Sequence, residues 1–386
     1  MFPSLMVLTL SFLNSDDKSS AAPAPYECGH ARTVCFDKTG ARFIVITQRG
    51  EILYYSSRDV VKPVVITLPR KPSGSIFDRG PSGAALNHEG TQAILFYHDG
   101  RVQVWDVVAG RKVKVLPNEH KGLSYAHRSP DGTLVACQSR EGGRFEDTGK
   151  ILLWNTRDWT SAGLIECTDC IYDHCFSPDG RQVVLAVGYP TDRKNNGFTG
   201  IVAMDIETKQ EVGSIEYGSG FPVRIAMSPD GRWIATGGGD AVPTSPNGRS
   251  LSGHLRIFDW KEKKLVAEPY TLSSDYVRAL AFSIDGNHLF SGSYEGYNGP
   301  GTASVRCFAP SNNWKEDHKI QLGHGNPDLI SISPDAKAVF VRDSDALQLI
   351  DAQALKFTRT VQKFKFYPED QEELDRMRGR GAKKKG

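Results

Sequence analysis

Along most of this chain apolar and polar residues alternate in runs of about five, the period-two pattern of half-buried β-strands. Val223-Arg224-Ile225-Ala226-Met227 and Trp233-Ile234-Ala235-Thr236 form one such pair, separated by Ser228-Pro229-Asp230-Gly231. In that turn the proline presets φ, the aspartate bonds nearby backbone and the glycine accepts a positive φ. Related turns recur at Lys38-Thr39-Gly40, His88-Glu89-Gly90, Ser129-Pro130-Asp131-Gly132, Ser177-Pro178-Asp179-Gly180, Ser283-Ile284-Asp285-Gly286 and Ser333-Pro334-Asp335-Ala336. Successive glycines are 50, 42, 48, 51 and 55 residues apart, and Ala336 follows the last by 50. A third apolar run follows every pair, at 52–56, 102–107, 151–156, 201–206, 255–260, 304–309 and 347–352. A fourth, weaker run leads to the next turn, as from Lys112 to Leu116. Helical periodicity is absent until the C-terminus.

Self-similarity at this period predicts stacked or radial repeats. Seven units of four strands predict an all-β fold, a seven-bladed β-propeller with four antiparallel strands per blade, over residues 30–364. Residues 1–29 form a separate N-terminal segment. Residues 365–386 are expected to add a short helix and a basic tail. In that helix Pro368 suits the first turn, Glu369, Asp370, Glu372 and Glu373 crowd the positive end, and Arg376 and Arg378 close the other. Each unit is complete in chain order, so no strand is left over to be exchanged between the first and last blades.

Trp105-Asp106 ends a third strand, and Trp154-Asn155, Met204-Asp205, Phe258-Asp259 and Ile350-Asp351 stand at the same place in other units. Gly29-His30 and Gly323-His324 precede first strands. In these residues the chain resembles the WD-repeat family. Six-bladed exported propellers carry similar turns, but the count of seven and the Trp-Asp pair favour the WD class. The resemblance implies a scaffold that holds other macromolecules and is not an enzyme. One unit alone has Trp-Asp, and none keeps the family's full His–Ser/Thr–Asp–Trp hydrogen-bond set. Blade stability is therefore expected from strand pairing and from apolar packing between blades.

Between the second and third strands the connection runs four residues in blade one, three in blade two, then 11, 12, 16 and 10, and three again in blade seven. These connections share one face of a propeller, so blades three to six should raise a wall there. Arg140, Arg144, Tyr189, Arg193, Lys194, Phe198, Arg249, Tyr294 and Tyr297 supply its arginine and aromatic groups, types enriched at interface hot spots. They are the expected partner-binding residues, and the partner is expected to be a protein. Glu141, Glu146, Asp147, Asp192 and Asp240 are mixed among them, which argues against a dedicated nucleic-acid face.

Composition narrows the remaining choices. A net charge of +2 is too small to steer the whole molecule to a polyanion, so such a partner would need a local patch. Arg380, Lys383, Lys384 and Lys385 are that patch, a tail able to contact phosphates, and RNA association through it is the alternative function. No apolar run approaches the ~18 residues of a membrane span. The stretch from Leu5 to Leu13 has the length of a signal-peptide core, yet no Lys or Arg precedes it. A cytoplasmic protein is expected, and an exported propeller with a ligand or enzymatic site in its channel is the other alternative.

Seven cysteines, mostly inside apolar runs, imply no disulfide framework. Cys167, Cys170, His174 and Cys175 resemble a metal cluster by type, but neighbours on a strand point to opposite faces, so no metal site is expected there. No cofactor is implied. The Gly143–Lys150 stretch lacks the Ser/Thr and the helix of a phosphate loop, and neither Gly-x-Ser-x-Gly nor His-Glu-x-x-His occurs. Lone histidines such as His127 and His174 are expected to satisfy strand-edge hydrogen bonds.

Overall fold

In the computed structural model the described residues are 31–37, 39–40, 42–47, 50–56, 59–69, 80–140, 149–188, 198–218, 220–245, 248–272, 277–295, 302–323, 327–343 and 346–363. They form seven antiparallel four-stranded sheets, each built from four consecutive strands. Blade one holds β1 (Ala31–Phe36), β2 (Arg42–Thr47), β3 (Glu51–Ser56) and β4 (Asp59–Thr67), and blade two β5 (Gly83–Leu86), β6 (Gln92–Phe96), β7 (Val102–Asp106) and β8 (Arg111–Leu116). Blade three is β9 (Ser124–Arg128), β10 (Leu134–Ser139), β11 (Gly149–Asn155) and β12 (Ser161–Cys167). Blade four is β13 (Ile171–Phe176), β14 (Gln182–Val187), β15 (Gly200–Asp205) and β16 (Glu211–Glu216). Then come β17 (Phe221–Met227), β18 (Trp233–Ser245), β19 (Gly248–Asp259) and β20 (Lys264–Leu272) in blade five. Blade six has β21 (Val277–Phe282), β22 (Leu289–Glu295), β23 (Thr302–Phe308) and β24 (Glu316–Gly323). Blade seven ends the ring with β25 (Pro327–Ile332), β26 (Ala338–Asp343), β27 (Ala346–Asp351) and β28 (Lys356–Lys363). The expected seven-bladed propeller is the fold. The C-terminal helix and basic tail expected after residue 364 lie outside the described residues.

The recurring turns explain why these runs become hairpins. In blades three to seven the turn serine donates to the aspartate two residues on, as from Ser129 to Asp131 (2.6 Å) and Ser177 to Asp179 (2.6 Å). The same hydroxyl accepts the backbone N–H of the first residue of the next strand or its neighbour, for example Trp233 at 2.8 Å. The glycine that closes the turn has a φ near +70° in Gly180, Gly231 and Gly286. Ala336 takes φ +58° without glycine's freedom, a conformation that costs an L-residue about 1 kcal/mol or more. The aspartate that ends the third strand has its own task in several blades. Asp106, Asp205 and Asp351 each accept two backbone N–H groups of the turn into the fourth strand.

Middle strands are buried on both faces because every blade is covered by two others. β2, β10 and β14 read as one half-buried residue followed by five buried ones. Apolar clusters fill each of the seven junctions between neighbouring blades. Innermost strands touch their neighbours all the way round, including β1 against β25. Ring closure therefore exchanges no strand, a point that the complete units in the sequence leave open. Blade seven packs on blade one through aromatic rings: Phe340 meets both Phe43 (5.0 Å between centroids) and Phe36 (5.3 Å), and Phe43 in turn stacks on Tyr55 of its own blade (4.5 Å).

Candidate functional site

Antiparallel order puts the connections between second and third strands on one face of the ring, together with those between blades. In blades three and four they occupy 140–148 and 188–199. In blade five the expected 16-residue connection is a correction: it is strand, not loop. β18 and β19 stay paired from Trp233 opposite Asp259 out to Ser245 opposite Gly248. Six residues of β18 lie past Gly239, which at ~3.3 Å each is a ribbon ~20 Å long. The run Gly237-Gly238-Gly239 and the Pro, Ser and Asn beyond it have the composition of a loop. Glycine is needed here for a different reason. A Cβ on Gly237 would meet Val277 at 2.7 Å, and one on Gly238 the Phe221 carbonyl at 2.4 Å, so the neighbouring inner strands crowd this strand. In blade six β22 and β23 extend to Glu295 and Thr302, leaving 296–301 between them rather than ten residues.

Four of the expected partner-binding residues are among the described residues. Arg140 donates from Nη2 to the Ile171 carbonyl (2.7 Å) and lies 5.8 Å from the Tyr172 ring, joining blades three and four. Phe198 packs on the apolar cluster between those blades. Tyr294 is half-buried in the β22 ladder opposite Ala303, and Arg249 sits in β19 opposite Pro243. Arg144, Tyr189, Arg193, Lys194 and Tyr297 lie outside the described residues, as do Arg380, Lys383, Lys384 and Lys385. What the structure places on that face with paired backbone is the blade-five ribbon.

A second grouping lines the channel, where β9, β13 and β17 are neighbours. His127 and His174 are not lone: their rings meet edge-on at 4.7 Å, and His127 Nε2 lies 3.6 Å from Asp173 Oδ1. His174 is fully buried, with Nε2 against the Ala136 carbonyl at 3.3 Å. Burial, reinforced by the charge on His127, holds its pKa down to about 3, so it is a neutral imidazole. Asp173 is buried too, and desolvation alone would raise its pKa. The His127 hydrogen bond and the Arg224 charge outweigh that and hold it below the usual carboxylate value. Its Oδ2 accepts the Ile225 N–H (3.2 Å), which ties blade four to blade five. Beside it Arg224 donates to the Arg278 carbonyl (2.7 Å) and stands 5.1 Å from the ring of half-exposed Tyr125. Sequence reading missed this set because its members lie 46 residues apart. The register signal was present, since His127 is two residues before the turn serine of its blade and Asp173 and His174 are four and three before theirs.

The cysteines from 167 to 175 are not brought together as ligands. Cys167 ends β12 and Cys170 is buried, with the Cys167 thiol pushed up to about 11 by desolvation. Burial also raises the Cys175 thiol. On the opposite face a groove of about 590 Å³ lies between blades five and six, walled by Trp233, Trp314 and Arg232.

Charged side chains inside the third strands also went unread. Arg256 is buried in β19, donates to Glu268 (2.8 Å), and lies 4.7 Å over the Tyr217 ring, whose hydroxyl bonds Thr236 and His254 (both 3.0 Å). Arg306 repeats the pattern one blade on. It donates to Glu316 (2.8 Å) and Ser293 (2.6 Å) and lies 4.6 Å over Tyr270, whose hydroxyl bonds Ser291 (3.0 Å). Tyr217 follows the outer strand of blade four, Tyr270 lies within that of blade five, and each packs on the next blade, so two junctions carry a polar stitch in addition to apolar packing.

Comparison with known proteins agrees with the architecture. Residues 213–242 and 267–299 match the family described as WD domain, G-beta repeat. The WD repeat-containing protein SL1-17 of Schistosoma mansoni is 26% identical over 185 residues, covering 47% of this chain and 51% of that protein. The chain thus spans about half the length of that relative. Among solved structures the Kuenenia stuttgartiensis Hydrazine Synthase is similar, with a TM-score of 0.61 and 14% identity over 87% of this chain and 96% of that one. At that identity the likeness shows the fold alone. WD-repeat propellers are typically protein-interaction scaffolds.

Proposed function

Since this chain carries WD repeats on a ring of seven blades, we propose that it is an interaction scaffold that grips a protein partner with the β18–β19 ribbon. The observation that carries the reading is the ribbon's pairing. Most long connections leave backbone groups to water, whereas here each strand bonds its partner out to the tip and presents an outward edge. Among the described residues β18 has no neighbour on its other side beyond Gly239, where β17 begins, and β19 has none beyond Gly253, where β20 ends. Unpaired edges accept an extended segment of another chain by strand addition. Pro243 lacks an N–H, which limits this pairing on the β18 side and leaves β19 as the freer edge.

The test joins Asp240 to Ser252 through Asn-Gly, a two-residue turn suited to that hairpin position. The shortened protein is expected to keep the wild-type melting temperature, because it retains every residue of the seven described apolar clusters. Recovery of partners in affinity purification from the native cell should fall by about tenfold or more, roughly the effect of deleting a hot spot. Undiminished recovery from a folded, shortened protein would reject the ribbon as the grip. The basic-tail reading gains no second observation from the fold.

A further inference from the structure

We propose that His127, Asp173 and His174 form a binding site for one divalent first-row transition-metal ion of the zinc class, open to the central channel. One ligand atom from each residue lies within 4.8 Å of those from the other two. His174 supplies the independent sign. It is fully buried, its Nε2–H is taken by the Ala136 carbonyl, and Nδ1 has no hydrogen-bond partner. A backbone carbonyl that holds one ring nitrogen fixes the tautomer and leaves the lone pair on the other, the usual arrangement behind a metal-ligating histidine. An orphaned buried lone pair is otherwise rare in a folded protein and asks for an occupant.

The other two donors fit the same role. Asp173 is held on both oxygens: Oδ1 accepts the His174 N–H at 3.0 Å and Oδ2 the Ile225 N–H at 3.2 Å, so the carboxylate is oriented before any ion arrives. His127 is 44% exposed, and its Nε2 lies 3.6 Å from Asp173 Oδ1. Ligands at ~2.1 Å from one ion sit about 3.4 Å apart, so a set spread over as much as 4.8 Å must draw together on binding. Two imidazoles and one carboxylate suit zinc, cobalt, nickel or iron and not magnesium or calcium, which prefer oxygen. Three protein ligands leave a coordination position for a channel water or a partner's side chain. Arg224 faces Asp173 from β17 and sets a limit on affinity, since its charge opposes the ion. In the absence of metal the same contacts clip blades three, four and five together.

The experiment uses the full chain stripped with chelator and titrated with zinc chloride by calorimetry, and with cobalt chloride by visible spectroscopy. One ion per chain is expected, with the d–d bands of nitrogen–oxygen ligated cobalt and no thiolate charge-transfer band. His127→Ala, whose side chain is half outside the packing, should keep its far-ultraviolet dichroism and melting temperature while affinity falls at least about tenfold. Asp173→Asn should lose binding as well. The Cys167→Ser/Cys170→Ser variant should bind as wild type does. Three results would overturn the site: no saturable binding, binding unchanged in folded His127→Ala, or binding lost with the cysteines instead.

Discussion

Ser177 shows what one side chain does for this fold. Its hydroxyl donates to Asp179 at 2.6 Å and accepts the Gln182 N–H at 2.9 Å, so it closes the turn and orders the strand that follows. That hydroxyl, followed by the Arg181 N–H, holds the Asp179 carboxyl below its ordinary value. A carboxyl with a lower pKa in the folded state stabilises above ~3.9, and the contribution disappears as pH falls through the folded value. Ser177→Ala should therefore cost ~1–2 kcal/mol at neutral pH, measured by urea unfolding. The gap to wild type should narrow below about pH 4, as Asp179 protonates, and persist in part because the Gln182 bond does not titrate. A gap independent of pH would separate the serine from the aspartate. The Ser-x-Asp spacing was legible in the sequence, since both partners are local.

Elements are stitched by residues whose meaning depends on the neighbouring blade. Arg306 is buried in a strand, where a charge read from sequence is an anomaly. Tyr270 of the preceding blade and Glu316 of the next strand resolve it. Glu316 is 41% exposed, so losing its partner does not strand a dry charge, and the exposed half of the pair contributes little. Arg306→Met is expected to cost about 1–2 kcal/mol in urea unfolding, from the hydrogen bonds to Ser293 and Glu316. A double-mutant cycle with Tyr270→Phe should show coupling above ~0.5 kcal/mol, because the ring and hydroxyl hold the guanidinium in place. Strict additivity would mean that the residues merely adjoin. At these two junctions polar stitches add to the strand pairing and apolar packing expected to hold the blades.

At the scale of the whole ring the decisive feature is closure without strand exchange. Phe340 is buried between Phe36 and Phe43, and this aromatic packing joins blade seven to blade one without a shared strand. Phe340→Ala should cost ~3–5 kcal/mol, the range for removing a buried aromatic ring. Hydrogen exchange followed by mass spectrometry should show β1 and β28 losing protection before β13, on the far side of the ring. Uniform loss across all blades would show that the ring opens as a unit and that this junction is no weaker than the rest.

The chain order of turns and alternating runs determined the strands, their grouping in fours and the blade number, because hairpin chemistry and period-two burial act between residues a few positions apart. It also determined that no strand was spare. The blade-five ribbon, the stitches at Arg256 and Arg306, and the meeting of His127 with Asp173 and His174 were decided by tertiary structure alone. The stitches and the histidine–aspartate set require side chains from different blades, and radial repetition brings residues tens of positions apart to within hydrogen-bonding distance. Glycine, proline and serine between 237 and 252 have the local preferences of a loop. They are strand because adjoining strands crowd the backbone at 237 and 238 and a continuous ladder satisfies the rest.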